Sequence, residues 1–271
     1  MLLRHSREPI DGQPVENTFV ALDERSGELL GSSVIYVEHK PVLYPARPLL
    51  VRIQLDRNSV PDAILGATIA RAKEICADSG EYARIYTHCD PDDDTLMEML
   101  RPFGFRDNDG FVCMEIKLSA RRRVKAPAGC TTVYDTLEDP IERKYFLERY
   151  NRLFGVNHDQ SWLNQYIDRR EFMRILSVAP TGMAGEVLIW REDDAGIIGF
   201  INTAKRWRHL GVASHLLSLA FDAFDSQNLY RAEAHVRVRY PHVLRLLESA
   251  GFQQTRLIMR YPGIDLNPED V

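Results

Sequence analysis

The chain has 271 residues, 45% hydrophobic and 27% charged, with 34 Lys and Arg against 39 Asp and Glu for a formal net charge of −5. That length holds one large or two modest domains, and the composition is that of a soluble globular protein. The acidic balance excludes a general nucleic-acid coat, no apolar run approaches a membrane span, and Met1–His5 leads into polar sequence; a cytoplasmic location with neither a nucleic-acid nor a membrane partner is expected. Cys76, Cys89, Cys113 and Cys130 form no Cys-x-x-Cys pair or disulfide framework, so reduced thiols and no metal are expected.

Along the chain, the first strands begin near Thr18–Leu22, with a turn at Glu24–Gly27 and a strand from Leu29 to Val37. Leu50–Ile53 is a further strand, and Asp62 caps a helix whose apolar face is Leu65, Ile69, Ala72 and Cys76. Ser119 to Gly129, with Arg121, Arg122, Arg123 and Lys125, has linker composition, its charge run being a solvated connector. Thr132–Tyr134 starts a second domain. Two helical stretches follow, one from about Ile141 to Phe154, the other holding Trp162, Tyr166 and Ile167.

Ile197–Ile201 reads as a buried strand, and Val212, Ala213, Leu216, Leu217, Ala220, Phe221 and Phe224 lie at helical spacing on one face. Between them stands Arg208-His209-Leu210-Gly211-Val212-Ala213. A strand, a short basic turn with a glycine and a helix start can hold a pyrophosphate. The glycine permits close backbone approach, the first-turn amides point at the anion, and the dipole adds positive potential. Arg206, Arg208 and His209 supply side-chain charge. Taken alone, such a loop is also an ordinary strand-to-helix turn. Arg231–Val238 is an alternating strand, Pro241 takes a first helical position, and Glu248-Ser249-Ala250-Gly251-Phe252 closes a short helix before the strand-like Thr255–Tyr261.

This order resembles the acyl-CoA-binding core of the GNAT superfamily of N-acetyltransferases, specifically from about Gly185 to Tyr261. The resemblance implies a strand that splays from its neighbour to admit the pantetheine arm, and acetyl-CoA as co-substrate. It implies a cofactor site of Ile201, Asn202, Thr203, Arg206, Arg208, His209, Leu210, Gly211, Val212, Ala213, Ser214 and Tyr240. Backbone N–H groups within Ile201–Thr203 would bond the acyl carbonyl, and the helices after Thr132–Tyr134 would wall the acceptor cleft.

An internal repeat is visible without any family. Gly104-Phe105 recurs as Gly251-Phe252, an offset of 147 residues that also aligns Ile69 with Leu216, Arg84 with Arg231 and His88 with His235. The expected fold is α/β with mixed sheets, two tandem GNAT-like domains at 1–120 and 130–271, each a mostly antiparallel splayed sheet flanked by helices. The first half is short at its start. At the offset of Arg208, Gly211 and Ala213 it has Pro61, Ile64 and Gly66, with Asp62 an anion beside a would-be phosphate, so only the second domain is expected to bind CoA.

The expected reaction is acetyl transfer from acetyl-CoA to a primary amine of a small-molecule or peptide acceptor; the competing expectation is a non-catalytic acyl-CoA-binding protein. The resemblance implies a Glu base on one of the two splayed strands. Gly196–Ile201 carries no carboxylate, and His235 on the next strand falls at a position where some members of that family hold their Glu, so the resemblance makes His235 the expected general base, with Glu186, Glu233 and a water chain as competitors. The recurrence of His88 at the same register suits a packing role equally. Where the resemblance implies a Tyr acid, this chain has Leu247.

Overall fold

A computed structural model describes residues 1–41, 43–56, 62–120 and 123–270. The chain packs as two compact units. The first comprises Met1–Gly110, Leu153–Gly155 and Met259–Val271, the second Phe111–Arg152 and Val156–Ile258.

The first unit is built on β1 (Leu2–His5), β2 (Thr18–Leu22), β3 (Leu29–His39), β4 (Leu49–Leu55), α1 (Asp62–Ser79), β5 (Ala83–Tyr86) and α2 (Asp94–Leu100). Strand β1 was not expected from sequence: Leu2–His5 is only half-buried, and its antiparallel pairing with Phe19–Leu22 of β2 is what makes it a strand. Helix α1 buries Leu65, Ile69, Ala72 and Cys76 as their spacing requires, and adds Ile64 and Thr68.

The second unit holds β6 (Gly110–Lys117), β7 (Thr131–Asp135), α3 (Pro140–Phe154), α4 (Gln160–Ile167), β8 (Met173–Ala179), β9 (Gly182–Glu192), β10 (Ala195–Thr203), α5 (Val212–Ser226), β11 (Arg231–Arg237), α6 (Pro241–Ala250) and β12 (Gln253–Arg260). On one face of its sheet, Ala232, Ala234 and Val236 of β11 share a core with Leu216, Phe221 and Phe224 of α5 and Leu247 of α6. On the other, Leu188, Trp190 and Ile197 pack with Phe146 and Leu147 of α3 and Leu163 of α4. The linker is not merely solvated: Val124 bonds α5 twice, its N–H reaching Ser218 Oγ at 3.2 Å and its carbonyl accepting from His215 Nδ1 at 2.8 Å. Arg121 and Arg122 lie outside the described residues.

A last strand, β13 (Gly263–Leu266), belongs to the first sheet, whose order is β1-β2-β3-β4-β5-β13; the second runs β12-β6-β11-β10-β9-β8-β7. In each, the one parallel pair among the recorded pairings joins the strands flanking a helix: β4 with β5, and β10 with β11. Strand β6, from the first half of the sequence, lies between β11 and β12, while β13, from the end of the chain, lies between β5 and the isolated bridge Arg106↔Gly263. The units therefore do not coincide with 1–120 and 130–271: two strands change places, each satisfying the backbone of the fifth strand of the other half's sheet. An arginine at equivalent repeat positions clamps each transferred strand, Arg84 to Asp265 at 2.7 Å and Arg231 to Glu115 at 3.2 Å.

No described helix is long and apolar enough to cross a membrane. All four cysteines are free thiols.

Candidate functional site

Strands β10 and β11 run parallel from Ala195↔Arg231 to Ile198↔Ala234 and then part, while β10 keeps its antiparallel partner β9 as far as Thr203↔Gly185. The register shifts at Gly199, a bulge that bends β10 away from β11. From there to Thr203, the backbone groups of β10 that faced β11 lose their strand partner.

A single 3₁₀ turn, Lys205–Trp207, leads to Arg208 in an extended conformation, and His209 and Gly211 both take positive φ, 63° and 83°. Nothing lies within 4 Å of a Cβ built on Gly211, so backbone conformation rather than crowding favours glycine there. As the N-cap of α5 it offers no side chain to the first-turn amides, which are left to a ligand.

These elements surround a cavity of about 420 Å³. Of the sequence-predicted residues it brings together Ile201, Asn202, Thr203, Arg208, His209, Gly211, Val212, Ala213 and Ser214. Three do not line it. Arg206 turns away to donate to the Thr181 carbonyl, Leu210 points outward at 56% exposure, and Tyr240 caps α6 while packing on the core. Trp207, His242, Val243 and Leu246 complete the wall and were missed from sequence. The signal for the last three was the 1-2-5 spacing behind Pro241, which puts them on one face of the first turns of α6. Burial, then the charges of Arg208 and Arg245, hold the His242 pKa below its ordinary value. A neutral imidazole thus faces the cavity until an anion offsets those charges.

The opposite sheet face carries the candidate base. His235 sits one residue beyond the last β10–β11 pair, directly across from Cys113 on β6, and its Nε2 lies 3.4 Å from Glu233 Oε2. A carboxylate only accepts, so Nε2 carries the proton and Nδ1 is left as the acceptor of the neutral ring. For Glu233, burial alone would raise the pKa, but the Cys113 thiol at 3.3 Å and the Arg231 guanidinium outweigh it and hold the carboxyl below its usual range. That carboxylate orients His235 and is a poor base. Glu186 is occupied too: fully buried, it accepts from Arg149 at 2.7 Å through each oxygen and from Arg174 at 2.9 Å. Cys113, Glu233 and His235 place three donor atoms within 4.8 Å of one another, close enough to reach one metal ion. Arg231 and Arg256, both bonded to Glu233, oppose a cation there. Leu247 is 1% exposed in the core and cannot donate a proton.

The counterpart of this loop in the first half is only partly described, since Ser59, Val60 and Pro61 lie outside the described residues. Asp62 is the first residue of α1, and Ile64 is fully buried.

The Acetyltransferase (GNAT) family matches residues 133–252. A GCN5-related N-acetyltransferase from Sphaerobacter thermophilus is similar in structure at a TM-score of 0.53 and 16% identity, over 95% of this chain and 84% of that one. A probable N-acyltransferase from Enterococcus faecalis V583 is similar at 0.57 and 14% identity, over 94% of this chain but 64% of that one. Both likenesses are of fold. A search of curated proteins found no match. The family match spans the strand, its splay, the basic turn and the Gly-Phe pair, and it marks residues 133–252 as a domain of the Acetyltransferase (GNAT) family, in a chain whose two sheets fit a tandem layout.

Proposed function

We propose that the protein transfers an acetyl group from acetyl-CoA to a primary amine, with one CoA site per chain, in the second unit. The observation that carries this reading is the cavity itself: the parted end of β10, the left-handed turn at His209–Gly211 and the open first turn of α5 converge on one space of about 420 Å³. Amides of that turn and Arg208 receive the pyrophosphate. Backbone N–H groups within Ile201–Thr203 bond the thioester oxygen and hold it more tightly as it gains charge.

The amine lone pair attacks the thioester carbon, and the C–S bond breaks as the C–N bond forms. His235 Nδ1 takes the ammonium or amine proton directly or through one water, and Glu233 stabilises the resulting imidazolium. The thiolate takes its proton from water, Leu247 having none to give. The same leucine favours a second reading, an acyl-CoA-binding protein without turnover.

The deciding experiment is release of free CoA thiol from acetyl-CoA against a panel of amines. His235→Gln is expected to keep CoA affinity and lower turnover by about 10²–10⁴-fold. Near-normal turnover in a stably folded His235→Gln protein ends its role as base. No thiol release with any amine, alongside tight CoA binding, selects the second reading.

A further inference from the structure

On the face of the second sheet that carries His235, a second cavity lies where β10 bulges. Tyr150 of α3, Trp162 and Tyr166 of α4, Trp190 of β9, and Gly199 and Phe200 of β10 surround it. The rings touch in sequence: Tyr150 to Phe200 with centroids 5.4 Å apart, Tyr150 to Trp162 at 4.6 Å, Trp162 to Tyr166 at 4.9 Å and Tyr166 to Trp190 at 5.6 Å. Gly199 makes this possible, because a Cβ there would come within 1.9 Å of the Trp190 ring. The bulge that opens the splay thus also seats Trp190.

The chemistry of the lining restricts the occupant. No carboxylate lines the cavity among the described residues, and burial pushes the Tyr150 hydroxyl up to about 12, so it stays neutral. The space is about 40 Å³, on the order of three water-sized centres, and walls made mostly of rings do not offer each water its two to four partners.

We infer that this pocket selects the acceptor, an amine bearing a compact apolar substituent, branched alkyl or the edge of an aryl ring. The inference rests on the acyltransfer reading for the position of the amine, which must lie at the splay, between His235 on β11 and Phe200 on β10. Polyamines and amino sugars, whose bodies are charged or hydroxylated, would leave buried rings against polar groups.

The test uses the full chain with acetyl-CoA and four amines: 3-methylbutylamine, 2-phenylethylamine, spermidine and glucosamine. The apolar pair is expected to exceed the polar pair in kcat/KM by at least about tenfold. Trp162→Ala is expected to raise KM for 3-methylbutylamine about tenfold with the KM of acetyl-CoA unchanged; Trp162→Phe serves if the alanine variant does not fold, with a smaller rise. Intrinsic tryptophan fluorescence of the CoA-saturated protein gives a reading independent of turnover. A saturable change with 3-methylbutylamine but no thiol release supports the pocket and overturns the transfer reading. Spermidine or glucosamine matching the apolar amines, or no fluorescence change with either apolar amine, overturns the pocket.

Discussion

The two sheets share one device: four residues of parallel pairing, a crossover helix, and a separate strand added beside the fifth. They differ at the junction into the helix. In the second unit α5 starts at Val212, after a glycine at φ 83° whose conformation turns the chain and leaves the first amides open. In the first unit α1 already begins at Asp62, and Ile64, which the repeat aligns with Gly211, is fully buried. One turn of helix packed on the core occupies the stretch where the other unit keeps an anion-sized opening. Carboxylate Asp62 in that first turn suits the helix dipole and repels a phosphate. A repeated architecture thus differs, through a few residues, in whether the first turn of its crossover helix stays open.

The comparison breaks most visibly at the transferred strands. Residues 1–129 and 130–271 made separately each lack a strand that the other carries, and neither is expected to show a cooperative melt alone; mixing or co-expression restores one. Two independently folded halves would refute the exchange. The arginine clamps sharpen it. Arg84 is 1% exposed and bonds Asp265, Asn108 and the Tyr261 carbonyl, with buried Asp109 at 3.9 Å. Arg84→Met strips those buried acceptors and should cost about 3 kcal/mol. Arg231 is 31% exposed, and Arg231→Met should cost about 1 kcal/mol or less in a denaturant titration. Equal losses would deny the difference in burial.

At the loops, calorimetric titration should give one CoA per chain. Gly211→Glu should weaken it by about 100-fold, through strain at positive φ and a charge facing phosphate. A stoichiometry of two would sink the asymmetry. The smallest effect is protonic. His242, whose repeat counterpart is Thr95, has a pKa lowered in the folded state by burial and by Arg208 and Arg245. Its stabilising share is therefore present above the ordinary value of 6.5 and lost as pH falls towards the folded value. His242→Gln should flatten that part of the stability profile. Because bound pyrophosphate favours the protonated ring, CoA affinity should also rise a few-fold below neutral pH in the wild type and not in the variant.

Local pattern made much of this legible. Alternation along Arg231–Val238 separates Ala232, Ala234 and Val236 from Glu233 and His235, and the spacing from Val212 to Phe224 predicts the buried face of α5, because both depend on periods that one segment carries by itself. Gly211 and Arg208 marked the cavity through local backbone chemistry. Tertiary structure decided the rest. Arg206 faces Thr181 because the β8–β9 turn is near, and His242 enters the wall because α6 packs beside α5; neither neighbour is close in sequence. Competition for Glu186 comes from Arg149 on α3 and Arg174 on β8, and that for Glu233 from Arg256 on β12 as well as from Arg231 two residues away on its own strand; both carboxylates are thereby poor bases. Strands β6 and β13 pair according to which sheet edge they reach, and an open row of backbone donors and acceptors accepts any strand of fitting length. Element type follows from periodicity within a segment, but the partner of a strand and the charge beside a carboxylate are set by distant chain brought close in space.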